Sequence, residues 1–218
     1  MSESRELLGF ALPGLVHALG NAVFTVSGHA QVLGVGSSDV QRDRGAILRA
    51  TDKARGLLEI LVYLQDEAAP AGAPVQAGIV LQRLCEVLRV PLRQRGLGLR
   101  FVHSSTESPL HADGRTLCVA VGAALRRALE ALPAGIDGAL ELDLTAQRRG
   151  RIVVATRVVS GPASLPFPVD LGPAAVELDA ALRRQAVRVA VTGRGGELRV
   201  QIDQPALAPS EGEGEASA

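Results

Sequence analysis

The chain predicts an N-terminal helical hairpin, of the kind that pairs into a dimeric four-helix bundle, followed by an α/β sandwich. Three observations predict it. Residues 4–67 carry two long apolar stripes at three- and four-residue spacing, the stretch Glu67–Pro74 reads EAAPAGAP, and beyond it short strand-like runs alternate with helical ones. The division that follows is a hairpin over 1–67, a linker over 68–75, a sandwich over 76–203 and a disordered tail over 204–218, where Pro, Ser, Gly and Glu dominate.

In the first helix Leu8, Leu12, Leu15, Leu19, Val23, Val26, Ala30 and Leu33 form the stripe. Pro13-Gly14 either opens that helix at its first turn or kinks it. Gly34 and Gly36 break it, and Ser37-Ser38-Asp39 offers a cap for the next one. Ile47, Ala50, Ala54, Leu57, Leu61 and Leu64 make the second stripe. A hairpin with one apolar seam per helix cannot bury itself alone, so a homodimer is expected.

Past the linker, 76–95 reads as helix, with Ile79, Leu81, Leu84, Val87 and Leu88 apolar, and Leu97–His103 alternates as a strand. Leu117–Leu132 is predicted helical, Ala139–Leu144 and Arg151–Val159 as strands, Ala174–Val191 as helix and Glu197–Ile202 as the last strand.

Composition narrows the function. The chain has 218 residues, 47% apolar and 21% charged, with 23 basic and 23 acidic residues. Zero net charge argues against a nucleic-acid or membrane-surface role, and 2% aromatics leave no platform for stacking bases. Cys85 and Cys118 lie in apolar helical patterns and read as buried, reduced thiols, with no CxxC or Cys/His cluster to suggest a metal. The N-terminus lacks a signal-peptide core and no apolar run approaches membrane-spanning length, so a cytoplasmic protein is expected.

Chemistry concentrates at one place. Asn21 is the only asparagine, and it follows His17 by four residues, one helical turn, so carboxamide and imidazole share a face. His17 sits two residues from both Leu15 and Leu19, about 200° around the helix from each, and should face outward. Asparagine is a mediocre helix former, which makes a lone one beside a histidine a candidate for chemistry. Imidazole as a class titrates near neutral pH and is a competent phosphoryl acceptor. His29 reads as structural, His103 and His111 as surface residues, and Arg126, Arg127, Arg183 and Arg184 as solvated helix faces.

His17-Ala18-Leu19-Gly20-Asn21, followed by Val26, Gly28, Ala30 and Leu33, resembles the phosphoacceptor helix of sensor histidine kinases. That helix carries the histidine, an acidic residue next, and Asn or Thr four places on. The hairpin is similar to the dimerisation and histidine-phosphotransfer domain, and 76–203 to the kinase ATP-binding domain. There Asp113–Ala131 resembles the helix that bears the Mg²⁺-binding asparagines, Val159-Ser160-Gly161-Pro162-Ala163 the nucleotide-binding Asp-x-Gly-x-Gly turn, and Gly195-Gly196-Glu197-Leu198 the turn into the final strand.

The departures are specific. Ala123 and Arg127 stand where the family has asparagines, Val159 where an aspartate reads adenine, and Ala163 in place of the second glycine. About ten residues separate that turn from the next helix, short for an ATP lid. A magnesium-nucleotide site without oxygen ligands has nothing to hold the metal. The sandwich is therefore expected to be degenerate, with no ATP, cofactor or metal of its own.

What the resemblance implies is a histidine phosphotransferase of a two-component relay. His17 would exchange a phosphoryl group with the aspartate of a response-regulator receiver, which brings its own Mg²⁺, and Val16, Gly20 and Phe24 would dock it. Ala18 replaces the acid that orients the imidazole in active kinases. In the family an amide at the place of Asn21 orients a water that hydrolyses phospho-aspartate. The alternatives are thus a receiver phosphatase using Asn21, a non-catalytic pseudokinase scaffold, and an ATP-dependent kinase with an unusual site.

Overall fold

The computed structural model describes residues 3–36, 38–65, 75–103, 111–133, 138–147, 151–160, 165–166, 169–184 and 189–203. Most of the predicted linker and the whole of the predicted tail lie outside these residues, as does the segment 161–164 with Ala163.

Two antiparallel helices come first, α1 (Glu3–Gly34) and α2 (Val40–Gln65). Asp39 caps α2 as the sequence suggested, its Oδ1 accepting the Arg42 N–H at 2.9 Å. Near the hairpin's tip His29 Nδ1 lies 2.8 Å from Asp43 Oδ1, which ties the helices together. Pro13 sits inside α1, nearly three turns from its start, so it does not open the helix.

The α/β part runs β1 (Val75–Gln76), α3 (Ala77–Arg93), β2 (Leu97–His103), β3 (His111–Ala112), α4 (Gly114–Glu130), β4 (Gly138–Gln147), β5 (Arg151–Ser160), β6 (Leu165–Pro166), α5 (Gly172–Arg184), β7 (Val189–Arg194) and β8 (Glu197–Asp203). β1 and β3 pair antiparallel on their own. The main sheet has the order β2-β4-β5-β8-β7, with β6 on the end of β5; only β2 and β4 are parallel, joined by a crossover that contains α4. Asp113 caps α4, accepting the Thr116 N–H at 2.9 Å.

The predicted helix over Ala174–Val191 is two elements. α5 stops at Arg184, and Val189–Arg194 is an edge strand turned back onto β8. Val191 is buried between exposed neighbours, the period of two that marks a half-covered strand, and Gly195 at φ 54° supplies the left-handed turn.

One face of the sheet, with Leu140, Leu142, Val154, Val158, Leu198 and Val200, packs into a core it shares with α3, α4 and α5. The other face carries a charged row. Arg157 stands across from Glu141 on one side and Glu197 on the other, with Glu197 Oε2 at 2.6 Å. α4 is buried along almost its whole length because the hairpin covers its far side. The N-terminal half of α1 lies against α3 and α4 through Leu7, Ala11, Leu15 and Ala18.

This contact rotates the buried face of α1 away from the stripe read in the sequence. Leu15 is buried, but Leu12 and Val23 are left on the surface, where with Val16 they continue as an outward seam. With apolar residues on three sides, α1 is long and apolar enough to cross a membrane by length and composition, contrary to the sequence reading. Its mean hydropathy over an 18-residue window is 1.6, and a third of that window is buried within the fold.

Candidate functional site

His17 and Asn21 are both exposed on α1, one turn apart, and Asn21 Nδ2 lies 3.1 Å from His17 Nε2. An amide nitrogen has only protons to offer, so it donates and the ring nitrogen accepts. The imidazole is then the tautomer with its proton on Nδ1 and its lone pair on Nε2, aimed at the carboxamide. Thr25, one turn further, donates its hydroxyl to the Asn21 backbone carbonyl at 2.9 Å.

Ala18 is buried in the core cluster between the hairpin and the sandwich. A carboxylate at that position would be taken out of water beside apolar side chains, a costly placement without a partner. Alanine at position 18 thus has a packing reason: α1 turns that position inward to meet the α/β part.

Of the residues expected to dock a partner, Gly20 and Phe24 share the His17 face by their three- and seven-residue offsets, and Phe24 is 80% exposed. Val16, also exposed, stands four residues after Leu12 and seven before Val23, on the outward seam.

Beside Asn21 the two helices leave an open groove of about 290 Å³. Three alanines, Ala22, Ala46 and Ala50, floor it, and Asn21, Thr25, Arg49 and Lys53 rim it. Arg49 and Lys53 come from α2, so no spacing within α1 could have signalled them.

Arg126 and Arg127 are not on a solvated face. Arg126 is buried, with Glu3 Oε2 at 2.5 Å, Glu6 Oε2 at 2.7 Å and Glu130 Oε1 at 2.7 Å; Arg127 holds Glu3 Oε1 at 2.6 Å and Glu177 Oε2 at 3.4 Å. Burial pushes the Glu3 carboxyl up, but the two guanidiniums more than offset it and hold it below the usual carboxylate range. Sequence spacing could show only Glu130, four residues from Arg126; the buried partner Glu3 lies 123 residues away. Arg183 does lie exposed, paired with Asp179.

The positions that resemble a nucleotide site are occupied by packing. Ala123 is fully buried, Val159 is buried at the end of β5, and Arg127 is tied to Glu3. Among the described residues no group of three or more His, Cys, Asp or Glu side chains is placed to share a metal ion. Cys85 and Cys118 are free and buried, which pushes the Cys85 thiol up to about 12 and that of Cys118 higher still.

The fold and site define a helical hairpin with an exposed His/Asn pair, docked on an α/β sandwich. No family model and no curated protein matches the chain. Among solved structures it is similar to the histidine kinase AdeS of Acinetobacter baumannii, at 16% identity over 86% of this chain and 97% of that one, with a TM-score of 0.42. It is also similar to the histidine kinase domain of the blue-light activated kinase EL346 of Erythrobacter litoralis, at 14% identity over 93% of each chain and a TM-score of 0.42. A bacterial phosphotransferase is a third neighbour, at 12% identity over 90% of this chain and 95% of that one, with a TM-score of 0.36.

Proposed function

We propose that this protein is a dimeric histidine phosphotransferase of a two-component relay, acting without ATP on a response-regulator receiver domain. The observation that carries the reading is the exposed imidazole of His17, whose Nε2 accepts from the chain's one asparagine. Nε2 attacks the phosphorus of the receiver's aspartyl phosphate. The P–O bond breaks as the N–P bond forms, the aspartate leaves as a carboxylate, and the Nδ1 proton passes to solvent. Asn21 must first swing off the lone pair, and its N–H then faces a phosphoryl oxygen. Acyl phosphates are activated, so the step depends on in-line positioning and charge stabilisation more than on a base, which suits a site with Ala18 in place of an acid.

A second reading rests on the same carboxamide. In it the Asn21 carboxamide holds a water against a receiver's phospho-aspartate, which would make the protein a phosphatase. A panel of phosphorylated receivers, offered to wild type, His17→Ala and Asn21→Ala, separates these. Acid-labile phosphate captured by wild type and lost in His17→Ala supports the relay. Receiver dephosphorylation without capture, abolished in Asn21→Ala, supports the phosphatase. Receiver binding with neither reaction leaves a scaffold and overturns both.

A further inference from the structure

We infer that the groove between α1 and α2 is a phosphoryl-anion subsite, and that the phosphoryl group it takes is the one passing to or from His17; the second half of this rests on the relay reading. The side chain of Asn21 belongs to both places. Its Nδ2 reaches His17 Nε2 at 3.1 Å, and the same residue rims the groove that Arg49 and Lys53 border from α2. The three alanines on the floor leave a recess with N–H and cationic groups around it, and no carboxylate lines it.

Composition sharpens the point. The chain has 23 basic residues, and Lys53 is its only lysine, just as Asn21 is its only asparagine. Both stand on the rim of one groove, Asn21 a helical turn from the histidine. A lysine ammonium is a compact charge with three rotatable donors, suited to a phosphate whose oxygens move as it transfers, whereas arginine suits a fixed two-point clamp. Lys53 is half-exposed and holds Glu86 Oε2 of α3 at 3.0 Å, an ion pair that partly neutralises the ammonium's charge. Arg49 is exposed and has no carboxylate partner among the described residues, which leaves its guanidinium available to an anion. The exposed cationic rim next to a nucleophile that carries no acid of its own is the charge stabilisation that transfer requires.

Asn21 supplies the probe. Selective ¹⁵N-asparagine labelling of the full chain gives one carboxamide signal, to be followed while inorganic phosphate is added at constant ionic strength. Wild type is expected to show a saturable shift. Arg49→Ala/Lys53→Ala should weaken the apparent affinity about tenfold or more, since each lost charged hydrogen bond removes a contribution of that order. Lys53→Arg should keep binding within a few-fold. Glu86→Gln, which frees Lys53 from its carboxylate, should tighten it a few-fold. No saturable shift in wild type, or an unchanged one in the double variant, would overturn the subsite. These side chains lie at the surface, and unchanged thermal unfolding of each variant checks that the fold is intact. Because the readout needs neither receiver nor transfer, loss of the relay in the receiver panel and loss of the subsite here are separate outcomes.

Discussion

Gly14 of α1 and Val87 of α3 meet backbone to backbone: a Cβ on Gly14 would overlap the Val87 carbonyl oxygen. The same device recurs around this contact, where a Cβ on Gly56 would strike the Arg83 side chain, one on Gly114 would lie 2.7 Å from the Tyr63 ring, and one on Gly122 2.6 Å from Leu7. Hairpin and sandwich are packed as one body through missing side chains.

Gly14→Ala is therefore expected to destabilise the fold, because a backbone carbonyl cannot step aside as a flexible side chain can. Overpacking of this kind costs about 1–3 kcal/mol or more, against a gain of about 1 kcal/mol in helix propensity. Gly9→Ala on the same helix meets nothing within 4 Å and should show that gain alone. Thermal or urea unfolding of the two variants should move in opposite directions. Equal shifts would mean that α1 does not lie this close to α3.

Glu3 is the acidic counterpart of that packing, and Glu3→Gln should cost about 3 kcal/mol at neutral pH, the usual scale for removing one member of a buried pair. Its folded carboxyl lies below the ordinary value, so the stabilisation is present above the unfolded pKa and disappears as pH falls through the folded one. The gap in unfolding free energy between wild type and Glu3→Gln should thus be constant near neutrality and begin to close below about pH 4.5. A gap that does not narrow in acid would show that the carboxylate is not the source.

The local elements were legible where one periodicity ruled. The strand predicted over Leu97–His103 has those bounds in the structure, and of the predicted cap Ser37-Ser38-Asp39 it is Asp39 that accepts the Arg42 N–H. Val189–Val191 was not legible, because a strand of three alternating apolar residues following an alanine-rich helix has no signal strong enough to stop the helix; its pairing with β8 decides it. The His17/Asn21 pair could be read because a helix brings i and i+4 together regardless of fold. Arg49, Lys53, Glu3 and the buried state of Arg126 could not, since each takes its meaning from another helix.

Mg²⁺-ATP at up to millimolar concentration is expected to leave the melting temperature unchanged. Ala123 is sealed in the core and Arg127 is held by Glu3, so neither position offers an oxygen to a metal ion. A ligand at 100 times its Kd would stabilise by about 2.7 kcal/mol, a shift of several degrees that no thermal scan would miss. Such a shift would restore the kinase reading.

The outward seam of α1 carries the last prediction. Leu12, Val16 and Val23 are spaced by four and seven, and Val16 and Val23 stay more than 60% exposed in the single chain. On α2, Leu48, Leu58 and Val62 add further exposed apolar surface. Helices with such seams bury them in a coiled-coil-like partner, and the seam lies away from the face of His17, so a second copy can cover it and leave the imidazole open. Leu12→Asp/Val23→Asp places two charges in that contact and should convert a dimer into a monomer in sedimentation analysis at micromolar concentration. The buried face of α1 is untouched, so the monomer should keep its helical content and its thermal unfolding should remain cooperative. A wild-type chain that sediments as a monomer would sink the bundle, while a doubly substituted chain that stays dimeric would place the interface elsewhere.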